Sequence, residues 1–130
     1  MLPPPPAGVI SQPSNYDVKE SIDRLEKLLE AKGITIFARI DQQSEAQKVG
    51  LELSPIQLLL FGNPRAGTPI MSAIPLSALD LPLKVIAWED AAGKVWLSYN
   101  EPAYIRERYG LSETLIKNID PGPLVAQAAQ

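Results

Sequence analysis

Apolar residues recur along the chain with two distinct spacings, and each spacing predicts a different element. Val18, Ile22, Leu25 and Leu29 recur at steps of four, three and four, with Leu28 beside them. That spacing lays one apolar stripe along an amphipathic helix. Asp17 stands at the N-cap with Glu20 three residues later, the capping-box spacing. Gly33 supplies a left-handed stop. Glu20 with Arg24 and Asp23 with Lys27 are acid-before-base pairs on the wet side of the same helix.

Elsewhere the period is two. In ITIFARID (34–41), Ile34, Ile36, Ala38 and Ile40 share one face, while Thr35, Phe37, Arg39 and Asp41 share the other. This alternation predicts a half-buried strand. GVIS (8–11) predicts a first short strand, ended or edged by Pro13. Residues 42–50 are polar and weakly helical, closed by Gly50. Residues 56–61 are almost continuously apolar, as expected of a strand covered on both faces. LKVIAWE (83–89) and VWLSYN (95–100) flank a reversal with a late glycine, which predicts a hairpin. The hairpin places Trp88 near Trp96, on the same or opposite faces according to register.

Between these strands, Thr68 is placed to cap a short helix with Pro69 in its first turn. Met71, Ile74, Leu76 and Leu79 would form its buried side, and Pro75 must break or bend it. Pro102 opens a helix through Tyr109 that Gly110 stops, and Ser112 caps a last one carrying Leu115, Ile116 and Ile119. Strands joined by tight turns pair antiparallel. The expected class is therefore α+β: a single, mostly antiparallel sheet of about five strands with helices on one face, in the order β-α-β(4)-α. The expected organisation is a flexible proline-rich start over residues 1–7, one α+β domain over 8–119, and a flexible tail over 120–130.

Composition removes several kinds of chemistry. The 130 residues include no cysteine and no histidine. The usual zinc, haem and iron–sulfur ligands are absent, as are the Ser-His-Asp and Cys-His constellations, so neither metal nor cofactor is expected. The net charge is −3, and the 12 Lys and Arg residues are scattered. That is a poor surface for displacing counterions from nucleic-acid phosphates, and no nucleic-acid partner is expected. The start lacks a basic, apolar leader and no apolar run reaches membrane-spanning length, so the expectation is a cytoplasmic protein with no membrane association.

Candidate binding residues come from three places. The stretch GNPRAGT (62–68) lacks the Gly-Lys-Ser/Thr ending of a nucleotide-hydrolase phosphate loop. It reads either as an anion-friendly corner built on Asn63, Arg65 and Thr68, or as a plain turn. Trp88 and Trp96 are placed either to line a pocket or a dimer surface or to pack in the core, and Glu89, Tyr99, Asn100 and Glu101 gather at strand ends. Asp41 and Gln42 follow the second strand; with Ser44 and Glu45 they offer oxygen ligands but no calcium-loop signature.

Three blocks carry a resemblance: LEAKGITIFARID (29–41), LELSPIQLLLFGNPRAGTPIM (51–71) and LPLKVIAWEDAAGKVWLSYNEPAYIRERYGL (81–111). Together they resemble the bacterial family catalogued as domain of unknown function 302, over about residues 8–119. The resemblance implies a TATA-binding-protein-like β-α-β(4)-α fold and small proteins that form homodimers, with no settled activity. Members commonly carry histidine where this chain has Gln42, and many carry it where this chain has Tyr109. A glutamine at that position forms hydrogen bonds but does not titrate near neutral pH. The expected function is a non-catalytic binding module, a homodimer holding a small molecule or partner, with a small anion as the candidate ligand. The alternatives are an enzyme using Glu89, Tyr99 or Asp41 in acid–base chemistry, and a structural or assembly role.

Overall fold

Antiparallel pairing organises the whole chain. The computed structural model describes residues 5–116 and 119–130. Its strands are β1 (Val9–Ser14), β2 (Thr35–Asp41), β3 (Ile56–Gly62), β4 (Leu83–Glu89) and β5 (Val95–Asn100). They form one five-stranded sheet in the order β1-β5-β4-β3-β2, with every neighbouring pair antiparallel. Pro13, which has no N–H to give a ladder, sits in the edge strand β1. The first four residues of the expected proline-rich start lie outside the described residues.

Helix α1 (Val18–Ala31) follows its capping chemistry, with the Asp17 carboxylate accepting from the Glu20 N–H at 2.7 Å. Gly33 takes the left-handed conformation, φ 74°. The stripe Val18, Ile22, Leu25 and Leu29 is buried against one face of the sheet, where Leu59, Phe61, Val85, Ala87, Val95 and Leu97 meet it. Burying a side chain of this size stabilises the fold by about 1.5–3 kcal/mol. The single antiparallel sheet backed by helices is thus the expected α+β architecture.

Beyond β3, whose outward residues are only half-buried where cover on both faces is expected, four details differ from the sequence reading. The segment after residue 120 is not a free tail. Helix α6 (Gly122–Ala129) packs on α1 and buries Val125, Ala128 and Ala129. The carbonyls of Ala128 and Ala129 accept from Arg24 Nε and the Asn15 N–H, each at 2.9 Å. Alanines give close helix approach without the bulky stripe that announces a helix in sequence. Second, a bulge at Phe37 breaks the alternation of β2. Ile34 and Ile36 pack into the core, whereas Ile40 falls opposite Leu58 on the other face.

Third, helix α3 (Pro64–Ala73) starts four residues before Thr68. Fourth, a 3₁₀ turn follows it (Pro75–Leu79) and turns Ser77 inward, leaving Leu76 and Leu79 about 70% exposed. Proline at 75 ends the α-helical register, so the i, i+3 stripe cannot continue. The remaining helices are α2 (Gln42–Lys48), α4 (Pro102–Tyr109) and α5 (Glu113–Ile116). Ile70, Ile105, Leu111, Ile116 and Ile119 form a second apolar cluster, and Leu83 packs against both clusters. Tyr109 ties α4 to the 3₁₀ turn by donating to Asp80, which also accepts from Arg108 Nη1 at 2.9 Å. Among the described residues no helix is long and apolar enough to cross a membrane.

The packing of α6 generates a direct test. Removing residues 121–130 deletes one buried valine, two buried alanines and three backbone acceptors, the carbonyls of Ala128, Ala129 and Gln130. Stability should fall by at least about 3 kcal/mol, from side-chain burial and hydrogen bonding together. Urea unfolding followed by circular dichroism measures it, and an unchanged midpoint would assign α6 no part in the core.

Candidate functional site

Where β3 leaves the sheet, Asn63 turns the chain into α3. Its side-chain oxygen accepts from the Arg65 N–H at 2.9 Å, and its carbonyl accepts from the Ala66 and Gly67 N–H groups. The stretch read as a corner or turn is therefore a strand end and a capped helix start. The apolar side of α3, with Pro64, Ala66 and Met71, stands away from the end of α1 and the close of β3. Between them lies a cavity of about 360 Å³. Leu29, Ile34, Phe37 and Phe61 form one wall. Leu81, Pro82 and Leu83 form a second, and Ile119, Pro121 and Leu124 a third. Asn63, Thr68 and Asp120 supply side-chain polar groups along a lining that is otherwise apolar. A cavity of this size and make-up falls in the range of small-molecule sites.

The candidate residues divide among separate places. Asn63 and Thr68 line the cavity; Arg65 is exposed and does not. Trp88 and Asn100 belong to the sheet face opposite α1. Trp88 pairs directly with Trp96, which settles the register: both rings share that face, stacked with centroids 6.4 Å apart. Their N–H groups are used within the chain. Trp88 donates to Ser98 Oγ at 2.8 Å, and Trp96 donates to Asp90 Oδ2 at 3.0 Å. The other Asp90 oxygen accepts from the Ala92 and Lys94 N–H groups. The Trp96 indole and then those backbone donors hold the Asp90 carboxyl below its usual range.

Glu89 and Tyr99 lie on the helix side but at opposite ends of the hairpin. Tyr99 pairs with Val85 and Glu89 with Val95, four residues apart along β4, or roughly 13 Å. Burial, and secondarily the charge of Asp120, pushes the Tyr99 hydroxyl up. Asp41 caps α2 by accepting from the Ser44 N–H at 3.0 Å, and Gln42 is the exposed first residue of that helix. The groups considered for acid–base work are thus not brought within reach of one another. Among the described residues there is no cluster of three or more Asp or Glu that could hold a metal. Phe37 was the member most open to recognition: a phenylalanine in the polar register of 34–41 is out of place unless something apolar lies beside it. It is 53% exposed and lines the cavity.

Known proteins resemble the chain in sequence and in fold. The model described as Domain of unknown function DUF302 matches residues 10–121. A curated protein of Brucella suis biovar 1 (strain 1330), "Fluoride-specific ion channel FluC 1", is 38% identical over 119 residues, covering 89% of this chain and 47% of its own. "Fluoride-specific ion channel FluC 2" of Brucella melitensis biotype 1 is also 38% identical, with 89% and 44% covered. The chain spans about half the length of the curated relatives it matches. The crystal structure of an uncharacterised conserved DUF302 protein from Bacillus stearothermophilus superposes with a TM-score of 0.77 at 18% identity, covering 95% of this chain and 97% of that one. At that identity the likeness is one of fold.

The Asp90 network predicts a pH dependence. Its folded pKa is depressed below 3.8, so its stabilisation is present above that value and is lost as pH falls through the lower, folded value. Tryptophan emission should hold steady down to about pH 4 and change below it. Asp90→Asn should remove that acid step; an identical profile in the variant would detach Asp90 from the tryptophans.

Proposed function

We propose, from the premise that the chain belongs to the Domain of unknown function DUF302 family, that it is a non-catalytic binding module taking a small apolar molecule into the cavity beneath α3. The cavity itself carries this reading: about 360 Å³ walled by aliphatic and aromatic side chains, with a few polar groups placed on it. The expected anion corner loses its main support, because Arg65 stands outside the cavity. The dispersal of Glu89, Tyr99 and Asp41 likewise gives acid–base catalysis nothing to build on. Action as a homodimer draws support from the opposite sheet face. There Ile40, Leu58, Ile86, Trp88 and Trp96 stay half-buried while the residues beneath α1 are fully buried.

A second reading follows from the curated relatives. Proteins named as fluoride-specific ion channels carry a stretch like this chain as about half their length. That placement favours a role beside a fluoride-handling channel, as a docking or regulatory half.

Two experiments separate these readings. The neutral fluorophore N-phenyl-1-naphthylamine should brighten on titration into the protein. The Met71→Trp protein, with an unchanged unfolding midpoint but a narrowed cavity, should bind it at least about tenfold more weakly, a change of about 1.4 kcal/mol. No brightening with the unaltered chain would remove the apolar-ligand reading. For the second, fluoride efflux from liposomes carrying a fluoride channel should change when the chain is added. An unchanged rate, with no co-purification, would remove it.

A further inference from the structure

The cavity also carries a statement about the kind of molecule it accepts, which rests on the reading of that cavity as a binding site. Its capacity comes first. At about 30 Å³ for each water-sized unit, 360 Å³ has room for about a dozen non-hydrogen atoms. That suits a medium-length alkyl or small aromatic molecule. The walls come second. The three apolar groups of side chains described above would cover such a body without asking it for hydrogen bonds.

The charge arrangement comes third. Among the described residues, Asp120 is the sole ionisable side chain on the lining, and no lysine or arginine shares it. Asp120 Oδ1 accepts from the Gly122 N–H at 2.9 Å, which fixes the carboxylate at the start of α6. Asp120 is exposed at the mouth of the cavity, and its charge, after burial, helps to push the Tyr99 hydroxyl up. The neutral polar groups are Asn63 and Thr68. The Asn63 oxygen is already engaged by the Arg65 N–H, so its amide NH₂ is the group left to donate. A carboxylate or phosphate head would face Asp120 with no cation among the described lining residues to offset it. A hydroxyl, amide or ammonium head would meet acceptors and donors.

We infer that the cavity selects a medium-chain amphiphile with a neutral or cationic head group over its carboxylate counterpart, with Asp120 setting that preference. The chain of about eight carbons fills the apolar body, and the head lies toward Asn63, Thr68 and Asp120.

Displacement of N-phenyl-1-naphthylamine by three eight-carbon competitors tests this at pH 7.5, each below its micelle-forming concentration: octan-1-ol, octylamine and octanoate. Octan-1-ol and octylamine should displace the probe at concentrations about tenfold lower than octanoate, the scale of one close charge contact near a protein surface. Raising the salt should narrow the octylamine–octanoate gap. Asp120→Asn, which keeps the oxygen that accepts from Gly122, should bring those two competitors within about threefold of each other and leave octan-1-ol unchanged. Octanoate displacing as well as octylamine, or a gap unaltered in the variant, overturns the inference while leaving the cavity a ligand site. A probe that never binds overturns both.

Discussion

Everything in the molecule hangs on the contact between one helix stripe and one sheet face. Ile22, Leu25 and Leu29 are fully buried against Leu59, Val85 and Leu97, which come from the three central strands. A two-layer fold has no other means of withdrawing that much apolar surface from water. The contact fixes which residues of β3, β4 and β5 look inward, and so which look outward. Because side chains alternate along a strand, the outward set is determined as soon as the inward set is. The tryptophan pair shares the outward face for that reason.

The cavity is a consequence of lengths. Helix α1 closes at Ala31, while β3 runs on to Gly62 and feeds α3 directly. Beyond the end of α1, the helix layer is taken over by α3 and by the chain from Ile119 to Leu124, and these do not close fully on Phe61 and Leu83. The second apolar cluster, built on Ile70, Ile105 and Ile116, holds that outer group of helices in place. The space is therefore framed by two packed regions, with Leu83 in contact with both.

The legible parts of this chain are those whose signal is local and repeated. The stripe of α1, its Asp17 cap and the alternation in the hairpin could be read because neighbouring residues announce them. The Trp88–Trp96 register could not, since two alignments differing by one residue were equally compatible with the turn. Asn63 reads in sequence as part of an anion-friendly corner or a turn, and its capping from position 63 rather than 68 depends on where β3 lets go of the sheet. Ala128 and Ala129 are silent in sequence and decisive in the core, because a methyl group earns its place only by what comes close to it. The cavity gathers residues from both ends of the chain, Leu29 and Leu124 among them, so no window of sequence contains it. The family resemblance carried the fold to the right answer and carried no ligand with it.

The bulge at Phe37 has a bearing on how copies of the molecule can meet. An open sheet has two rims of unfilled backbone groups, and strand-to-strand growth into fibrils begins at such rims. Here one rim is β2, whose ladder is interrupted at Phe37, and the other is β1, where Pro13 brings no N–H. Neither offers an incoming strand an unbroken row of partners. Strand-to-strand growth is thereby disfavoured at both rims.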